Sequence, residues 1–427
     1  MNRFLLTVLI FFAALRLQAA DWPPRLEQSA PFNGRTADRY IHGSQSQWGA
    51  QNPEQTDEFV VLHPQDDSGD NAVGKRPLYV VLHSAGHALD SALECTLTPG
   101  NHDIYTTPDG FYGLYVDCRA NEATDWWWGG PRPDEDTDEN RAKAGFDLSP
   151  CEKRVIDTIR WVIETYPIDA NRVYLSGNSM GGSGTLGIGL RHGDIFAAIK
   201  ANVPAGCAHA AARLGFDAGI PAGETIPDPP ILVDYSANND HWSFDHAILF
   251  RGMRQRHYAL MAFWGPFGHQ NNHAKIDEVN DLIHRFDWTG VRRDEAYPVF
   301  TDATTDDPVP WTDDFENLPE DAPAGQVNGF FRWEVVTDTP DCFEIRLRLA
   351  SAEEIASKIF QVPTTSTAAV SLRRLQAFAV VPNEKVTCLF GDQNLTVQAD
   401  ADGLITIPDL TITDEPVSLK LTRSDKR

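Results

Sequence analysis

A serine between two glycines follows a short apolar stretch of the chain. Residues 172–176 (RVYLS) have the composition of a β-strand, and residues 177–181 (GNSMG) form a G-x-S-x-G pattern. Where a strand turns sharply into a helix, such glycines leave room for the neighbouring backbone, and the central serine is exposed at the carboxyl end of the sheet. The pattern therefore predicts that Ser179 is a nucleophile.

A nucleophilic serine needs an imidazole to take its proton and a carboxylate to orient that imidazole. In the strand-turn-helix arrangement, the chain order of the three groups is serine, acid, histidine. A loop containing Asp240 follows the apolar run at residues 231–235. His269 follows the apolar run at residues 258–264. The order predicts a catalytic triad of Ser179, Asp240 and His269.

Other nearby residues are alternatives for the acid and the base. Asp234 lies inside a predicted strand, and Asp245 lies in the first turn of a predicted helix, where it would interact favourably with the helix dipole. Asp240 could instead be a turn-forming aspartate. His273 opens the last predicted helix of this region, so we expect a capping or surface role for it.

Acyl transfer also needs backbone N–H groups that hold the negatively charged oxygen of the tetrahedral intermediate. We expect the first from Met180, directly after the nucleophile, and the second from Ala85, in the loop after the predicted strand at residues 78–83. His83 and His87 in that loop are expected to shape it through hydrogen bonds, since no third residue has the spacing of a metal ligand. We therefore expect no metal and no other cofactor.

The elements that must position these residues alternate along the chain. Short apolar, β-branched runs predict strands, and Ser149, Pro150 and Glu152 predict a capped amphipathic helix between two of them. Nearly continuous apolar strands alternating with amphipathic helices favour a mostly parallel sheet with helices on both faces. The predicted strands are residues 58–63, 78–83, 111–117, 172–176, 231–235 and 258–264.

Several of these motifs resemble one enzyme superfamily. LYVVLHSAGH, DANRVYLSGNSMGG, GDIFAAIKANVPAG and the late FGH are similar to α/β-hydrolase esterases of the polyhydroxybutyrate depolymerase, feruloyl esterase and acetylxylan esterase group, and to predicted peptidases with a prolyl-oligopeptidase-like catalytic domain. The resemblance covers roughly residues 55–290. It departs at Ser84, where such families usually have glycine.

The resemblance implies an α/β-hydrolase fold and a serine hydrolase that forms an acyl-enzyme. An esterase that removes acetyl or feruloyl groups from polysaccharides is the main expectation. A serine peptidase with the same triad is an alternative, and so is a non-catalytic carbohydrate-binding protein on a hydrolase scaffold.

Four tryptophans are candidates for contact with the substrate. Trp126, Trp127 and Trp128 follow a strand that ends at Asp117, so they should lie on the same side of the sheet as the nucleophile, and Trp242 follows the predicted acid. A rigid aromatic ring beside the serine would suit a sugar ring or a phenolic acyl group. Packing of all three consecutive tryptophans inside the protein is the alternative.

Charge narrows the choice of partners. The 427 residues include 36 Lys and Arg against 61 Asp and Glu, which gives a formal charge of −25 at pH 7. Such a surface repels nucleic acid and anionic membranes. We expect neutral acylated carbohydrates or other small esters as substrates, no nucleic acid and no membrane insertion.

Composition divides the chain into four segments. Residues 1–20 have the pattern of a signal peptide, which predicts a secreted or periplasmic protein. Residues 21–300 are the predicted hydrolase domain, and residues 301–326, rich in acidic residues and proline, are a predicted solvated linker. Residues 327–427 contain several strand-like runs, among them 375–381, and predict a small β-sandwich-like domain.

The six cysteines of an exported chain favour disulfides. Cys342 and Cys388 could pair in the C-terminal domain. The other four, Cys95, Cys118, Cys151 and Cys207, allow three connectivities. Buried thiols are the alternative for all six.

Overall fold

The computed structural model describes most of the chain. Some predictions fall outside the described residues: the signal peptide, Trp126 and Trp128, and His273 with most of the helix that it was predicted to open. The described residues are 22–48, 55–65, 74–98, 105–118, 127, 148–216, 219–220, 224–269, 283, 285–311 and 323–423.

A ten-stranded sheet carries the predicted site, with the strand order β1-β2-β3-β5-β4-β6-β7-β8-β9-β11. The strands up to β11 are β1 Arg25–Phe32, β2 Arg35–Gly43, β3 Thr56–Leu62, β4 Arg76–Leu82, β5 Tyr112–Val116, β6 Ile168–Asn178, β7 Ala198–Asn202, β8 Ile231–Ala237, β9 Leu260–Gly265, β10 Tyr297–Thr301 and β11 Gly325–Val327. The six strands β5-β4-β6-β7-β8-β9 run parallel to one another. The pairings of β1, β2, β3 and β11 are antiparallel, at the two edges.

Helices and short helical turns cover this sheet. They are α1 Leu89–Cys95, α2 Pro150–Thr165, α3 Met180–Gly184, which continues as a π-helical segment Thr185–Gly189, α4 Cys207–Arg213 and α5 His246–Gln255, with 3₁₀ turns at Ser46–Trp48, His241–Ser243 and Trp288–Gly290.

Helix α2 shows how the local sequence sets an element. The Oγ of Ser149 accepts a hydrogen bond from the backbone N–H of Glu152 at 3.1 Å, and the Glu152 carboxylate accepts one from the N–H of Ser149 at 3.4 Å. This capping box confirms the predicted helix start. Val155, Ile159 and Val162 are fully buried. The helix therefore stabilises the sheet through one apolar face.

The central strands are buried along nearly their whole length, as expected for parallel strands covered on both faces. An antiparallel β3 next to the parallel series β5-β4-β6-β7-β8-β9, with helices in the connections, is the α/β-hydrolase fold, so the predicted fold class is confirmed. Because β6, β8 and β9 are parallel, the loops after all three meet at one edge of the sheet.

The C-terminal region is antiparallel. One sheet has the order β10-β14-β17 and the other has the order β12-β13-β18-β15-β16. The remaining elements of this region are β12 Phe331–Asp338, β13 Cys342–Leu349, α6 Ala352–Ile355, β14 Thr365–Arg373, β15 Lys385–Phe390, β16 Gln393–Gln398, β17 Ile405–Thr413 and β18 Val417–Arg423.

The strand expected at residues 375–381 is not formed. The backbone N–H groups of Gln376 and Phe378 donate to the carboxylate of Asp338 at 2.9 and 2.7 Å, which occupies donors that a strand would use in a ladder. The strand of this region is β14, earlier in the chain.

The predicted solvated linker also differs from the structure. Strand β10, which reaches residue 301, pairs with β14, and β11 pairs with β9 of the large sheet. Trp311 is only 3% exposed. The described residues between 301 and 326 are therefore partly integrated into the two regions that they connect.

None of the six cysteines, all of which are described, forms a disulfide in the structure. Cys342 lies opposite Thr422 of β18, whereas Cys388 lies opposite Leu421 on the other side of the same strand. Successive residues of a strand face opposite sides of the sheet, so the two cysteines point away from each other. The expected pairing of Cys342 with Cys388 is therefore absent.

Within the described residues, no helix is long and apolar enough to cross a membrane.

Two arginines at the end of β14 join the C-terminal region to the hydrolase region. The Arg374 guanidinium donates to the carbonyl oxygens of Gly193, Phe196 and Asp228 at 3.1 to 3.3 Å. Arg373 forms an ion pair with the Asp228 side chain. These carbonyl groups belong to the connections around β7, so the contact fixes the two regions together.

Arg374→Ala should lower the free energy of unfolding by about 2 to 3 kcal/mol, because hydrogen bonds from a charged group are lost and carbonyl groups are left unsatisfied. Chemical denaturation measures this change. Arg346→Ala is the control: it removes an exposed pair with Glu334 and should change stability by less than about 0.5 kcal/mol. Equal effects of the two substitutions would contradict the role given to Arg374.

Candidate active site

Ser179 lies at a strained turn between β6 and α3. Its backbone has φ 54° and ψ −115°, a conformation that residues other than glycine rarely adopt and that costs about 1 to 3 kcal/mol. Its N–H donates to the carbonyl oxygen of Asn202 in β7 at 2.9 Å. The turn is thus tied to the neighbouring strand.

The glycines of the pattern allow this turn because backbone segments crowd around it. A Cβ at Gly177 would collide with the carbonyl group of Gly181, and one at Gly181 would collide with the carbonyl oxygen of Leu82. A Cβ at Gly182 would lie 2.6 Å from the carbonyl oxygen of Asn202. Only glycine fits at these positions without displacement of a strand end.

The structure brings Ser179, His269 and Asp240 together. The Ser179 Oγ lies 2.8 Å from the His269 Nε2, and the His269 Nδ1 lies 2.7 Å from the Asp240 Oδ2. An ionised carboxylate only accepts hydrogen bonds, so Nδ1 carries the ring proton and Nε2 is left to accept from the serine hydroxyl. The histidine side chain is 33% exposed and the aspartate side chain 2%. The base therefore reaches solvent while its partner is buried.

Loop contacts hold the acid and the base in place. Asp240 Oδ1 accepts the backbone N–H of Trp242 at 3.0 Å, and the backbone N–H of Gly268 donates to the Asn239 side chain at 2.9 Å. The acid loop is thereby joined to the residue before His269. Of the alternative acids, Asp234 is fully buried inside β8, and Asp245 precedes α5 with a left-handed backbone.

The predicted oxyanion loop is connected to the nucleophile turn through Ser84. The Ser84 Oγ donates to the carbonyl oxygen of Asn178 at 2.8 Å, and the Ser84 N–H donates to the Tyr105 hydroxyl at 3.1 Å. Burial raises the pKa of Tyr105, so its hydroxyl stays protonated and can donate to the Ser84 Oγ at 2.8 Å. The side chain and the N–H of Ser84 thus fix this loop to the nucleophile turn and to Tyr105.

Two backbone donors remain for an oxyanion. Met180 is the first residue of α3, where N–H groups have no acceptor within the helix. Ala85 is exposed, and among the described residues none accepts its N–H. Both predicted donors are therefore available.

His83 shapes the loop, as expected. Its Nδ1 donates to the carbonyl oxygen of Ser84 at 2.9 Å, and its Nε2 lies 3.0 Å from the backbone nitrogen of Cys118 and 3.1 Å from the Asp117 Oδ1. The described residues contain no group of three or more His, Cys, Asp or Glu side chains that could hold a metal ion.

The predicted role of Trp127 is wrong. Its side chain is completely buried, packs against Gly184 and donates from Nε1 to the carbonyl oxygen of His83 at 3.2 Å. It therefore supports the oxyanion loop from inside and cannot offer a face to a sugar. Trp242 is half-buried, and its ring centre lies 6.3 Å from that of His269. It is placed to line the site.

Sequence analysis missed Tyr105 and Asn202, which support the turn and the oxyanion loop. Tyr105 belongs to no motif, and Asn202 lies in the run GDIFAAIKANVPAG, which by itself gives it no role. Each reaches its partner across the fold: Tyr105 contacts Ser84, and the Asn202 side chain donates to the carbonyl oxygen of Gly177 at 3.0 Å. These contacts between distant segments are not visible in a local pattern.

No model of a known protein family matches the chain, and no curated protein matches it. Solved structures do. The substrate-bound fluorophosphonate-binding serine hydrolase F of Staphylococcus aureus is 12% identical, with a TM-score of 0.38 over 60% of this chain and 98% of that chain. An S-formylglutathione hydrolase from Agrobacterium tumefaciens is 13% identical, with a TM-score of 0.37 over 59% and 97%. A ferulic acid esterase from the anaerobic fungus Anaeromyces mucronatus is 15% identical, with a TM-score of 0.35 over 58% and 92%.

These identities and TM-scores are too low to assign an activity to this chain. Its own sheet order defines an α/β-hydrolase fold, and hydrogen bonds join a serine, a histidine and an aspartate in that order.

Tyr105→Phe should lower kcat for ester hydrolysis by about tenfold with little change in KM, because the loop that carries Ala85 loses an anchor and the oxyanion donor is misplaced. Steady-state kinetics on a small chromogenic ester measure this. Tyr174→Phe is the matched control, since it removes the hydrogen bond of another buried tyrosine to the carbonyl oxygen of Val291. An unchanged kcat in Tyr105→Phe would show that the anchor is dispensable.

Proposed function

We propose that the protein is a secreted serine hydrolase that cleaves carboxylic esters with Ser179, His269 and Asp240 as its triad. The observation that carries the proposal is the continuous chain of hydrogen bonds from the Ser179 Oγ through the imidazole to the buried carboxylate. The three groups stand in the order that nucleophilic catalysis requires, which supports the proposal.

The reaction follows from this geometry. The His269 Nε2 takes the hydroxyl proton as the Ser179 Oγ attacks the ester carbonyl, and Asp240 stabilises the imidazolium that forms. The N–H groups of Met180 and Ala85 hold the oxyanion. His269 then protonates the leaving alcohol, which leaves an acyl-enzyme. A water molecule that gives a proton to His269 then attacks this acyl group. The bond between the acyl carbon and the Ser179 Oγ breaks, His269 returns the proton to that oxygen, and the acid is released.

Acylated carbohydrates are the substrate class that we favour. The sequence motifs resemble those of feruloyl and acetylxylan esterases, and Trp242 offers an aromatic surface beside the base. The net charge of −25 favours neutral over strongly anionic substrates. The signal-peptide pattern of residues 1–20 supports export of the enzyme to the place where such polymers occur.

Ser179→Ala should reduce ester turnover at least a thousandfold, because removal of a triad nucleophile costs several orders of magnitude. The test is a turnover screen over acetylated glycans, feruloylated glycans, short acyl esters and chromogenic peptides. Ser418→Ala, which removes a C-terminal hydroxyl bonded to Glu344, is the control and should retain full activity. Peptide cleavage without ester cleavage would favour the serine peptidase. Loss of less than a hundredfold in Ser179→Ala would contradict the triad.

Trp242→Ala should raise KM for an acylated oligosaccharide by about tenfold and leave kcat/KM for a short acyl ester within about threefold, since only the larger substrate reaches the ring. The backbone N–H that Asp240 accepts is kept in this variant. Michaelis–Menten kinetics on the two substrates measure both changes. Equal losses on both would show that Trp242 acts on the triad and not on the sugar.

A further inference from the structure

A second set of buried polar groups lies directly behind the acid loop. We propose that His246, with Asp234 as its counter-ion and Trp311 as its cover, positions Asp240 for the reaction. This inference rests on the function proposed above. None of the three residues is needed for the chemistry itself, so they are positioning residues.

His246 fixes the end of the acid loop through one ring nitrogen. It is the first residue of α5 and is fully buried. Its Nδ1 lies 2.6 Å from the carbonyl oxygen of Ser243. A carbonyl oxygen only accepts hydrogen bonds, so Nδ1 carries a proton.

The other nitrogen of His246 is also protonated. Its Nε2 lies 2.6 Å from the Ser236 Oγ, and that hydroxyl donates to the Asp234 Oδ2 at 3.0 Å. Because the hydroxyl proton is used in that bond, Nε2 must be the donor. The ring is therefore an imidazolium, with its Nε2 3.4 Å from the Asp234 Oδ2.

The charged and titratable groups around His246 agree with this state. Asp234 faces it from β8 and Cys207 from α4, while Asp245 precedes it in the chain. Burial by itself lowers the pKa of His246, but Cys207 and Asp234 raise it well above its usual value. A buried ion pair is costly to desolvate and adds little net stability. Its position behind the acid loop therefore explains the presence of this pair better than stabilisation of the fold does.

Trp311 closes the cluster from a segment that precedes β11. Its ring stacks on the His246 ring with centres 4.6 Å apart and planes at 26°. Its Nε1 donates to the Ser243 Oγ at 2.8 Å. An aromatic face on an imidazolium is a favourable arrangement, since the ring carries negative potential on its face.

Ser243 passes these restraints to the acid. The carbonyl oxygen of Ser243 accepts a hydrogen bond from the His246 Nδ1, and its hydroxyl oxygen accepts one from the Trp311 Nε1. The same hydroxyl lies 2.7 Å from the carbonyl oxygens of Ala237 and Asp240, to which it can donate. The backbone of Asp240 is thus held from within the fold while its carboxylate faces His269. A displacement of about 1 Å in such a group can cost a hundredfold in rate.

Trp311→Phe is the sharpest test, because it keeps an aromatic ring next to His246 and removes the donor to Ser243. It also removes one ring of the indole, a loss of volume that the control Trp264→Phe reproduces. We expect kcat for a short acyl ester to fall about tenfold with KM within twofold. We also expect the acid limb of the pH–rate profile to move to lower pH, since the imidazolium of His269 loses part of the stabilisation from a well-placed Asp240.

Two further variants separate positioning from packing. Trp264→Phe shortens another buried tryptophan, which contacts Trp311 at 5.7 Å between ring centres, and should leave kcat and the acid limb within twofold of the wild type. Ser243→Ala should reproduce the effect of Trp311→Phe, and the double variant should be no slower than Ser243→Ala, because both act through one hydroxyl. If Trp311→Phe does not fold, Ser243→Ala provides the same kinetic readouts.

The proposal is overturned if Trp311→Phe keeps the wild-type kcat and acid limb. It is equally overturned if Trp264→Phe loses as much activity with the acid limb unmoved, or if the double variant shows additive losses. Failure of the proposed function looks different: the wild-type protein would then hydrolyse no ester, or Ser179→Ala would hydrolyse it equally well.

Discussion

The site depends on how closely the backbone segments around Ser179 approach one another. The serine has a positive φ, and there is no room for a Cβ at Gly177, Gly181 or Gly182, so the turn between β6 and α3 needs glycine at these three positions. The hydrogen bond to Asn202 and the hydrophobic packing of the sheet offset the cost of this strain. The triad and the oxyanion donors are useful only while this turn is kept.

The parallel strands set the distances between the reacting groups. Asp240 and His269 follow adjacent strands, and a hydrogen bond between Gly268 and Asn239 joins the two loops, so acid and base are held next to each other. Trp311, in the segment between β10 and β11, also binds the acid loop, because its Nε1 donates to the Ser243 Oγ. The segment that connects the two regions therefore contacts the catalytic edge, while Arg373 and Arg374 join the C-terminal region to the hydrolase region.

Local motifs predicted much of the fold and the three side chains that hydrogen bonds join at the sheet edge. The steric demands of a strand-turn-helix and the order of strand ends are visible in sequence. Contacts between distant segments were not visible. Trp127 was expected to face the substrate, but its side chain is buried and donates a hydrogen bond to the carbonyl oxygen of His83. The pairing of Cys342 with Cys388 failed because strand register places them on opposite faces. The support from Trp311 required knowledge of how a proline-rich segment returns to the sheet.

Covalent labelling of the nucleophile tests the central claim most directly. A fluorophosphonate reacts with a serine only when an adjacent base activates the hydroxyl, so peptide mapping by mass spectrometry after labelling reports on the assembled triad. The account predicts one label per chain, on the peptide that contains Ser179, and greatly slowed labelling in Asp240→Asn. A protein that stays unlabelled, or a label that persists in Ser179→Ala, would contradict it.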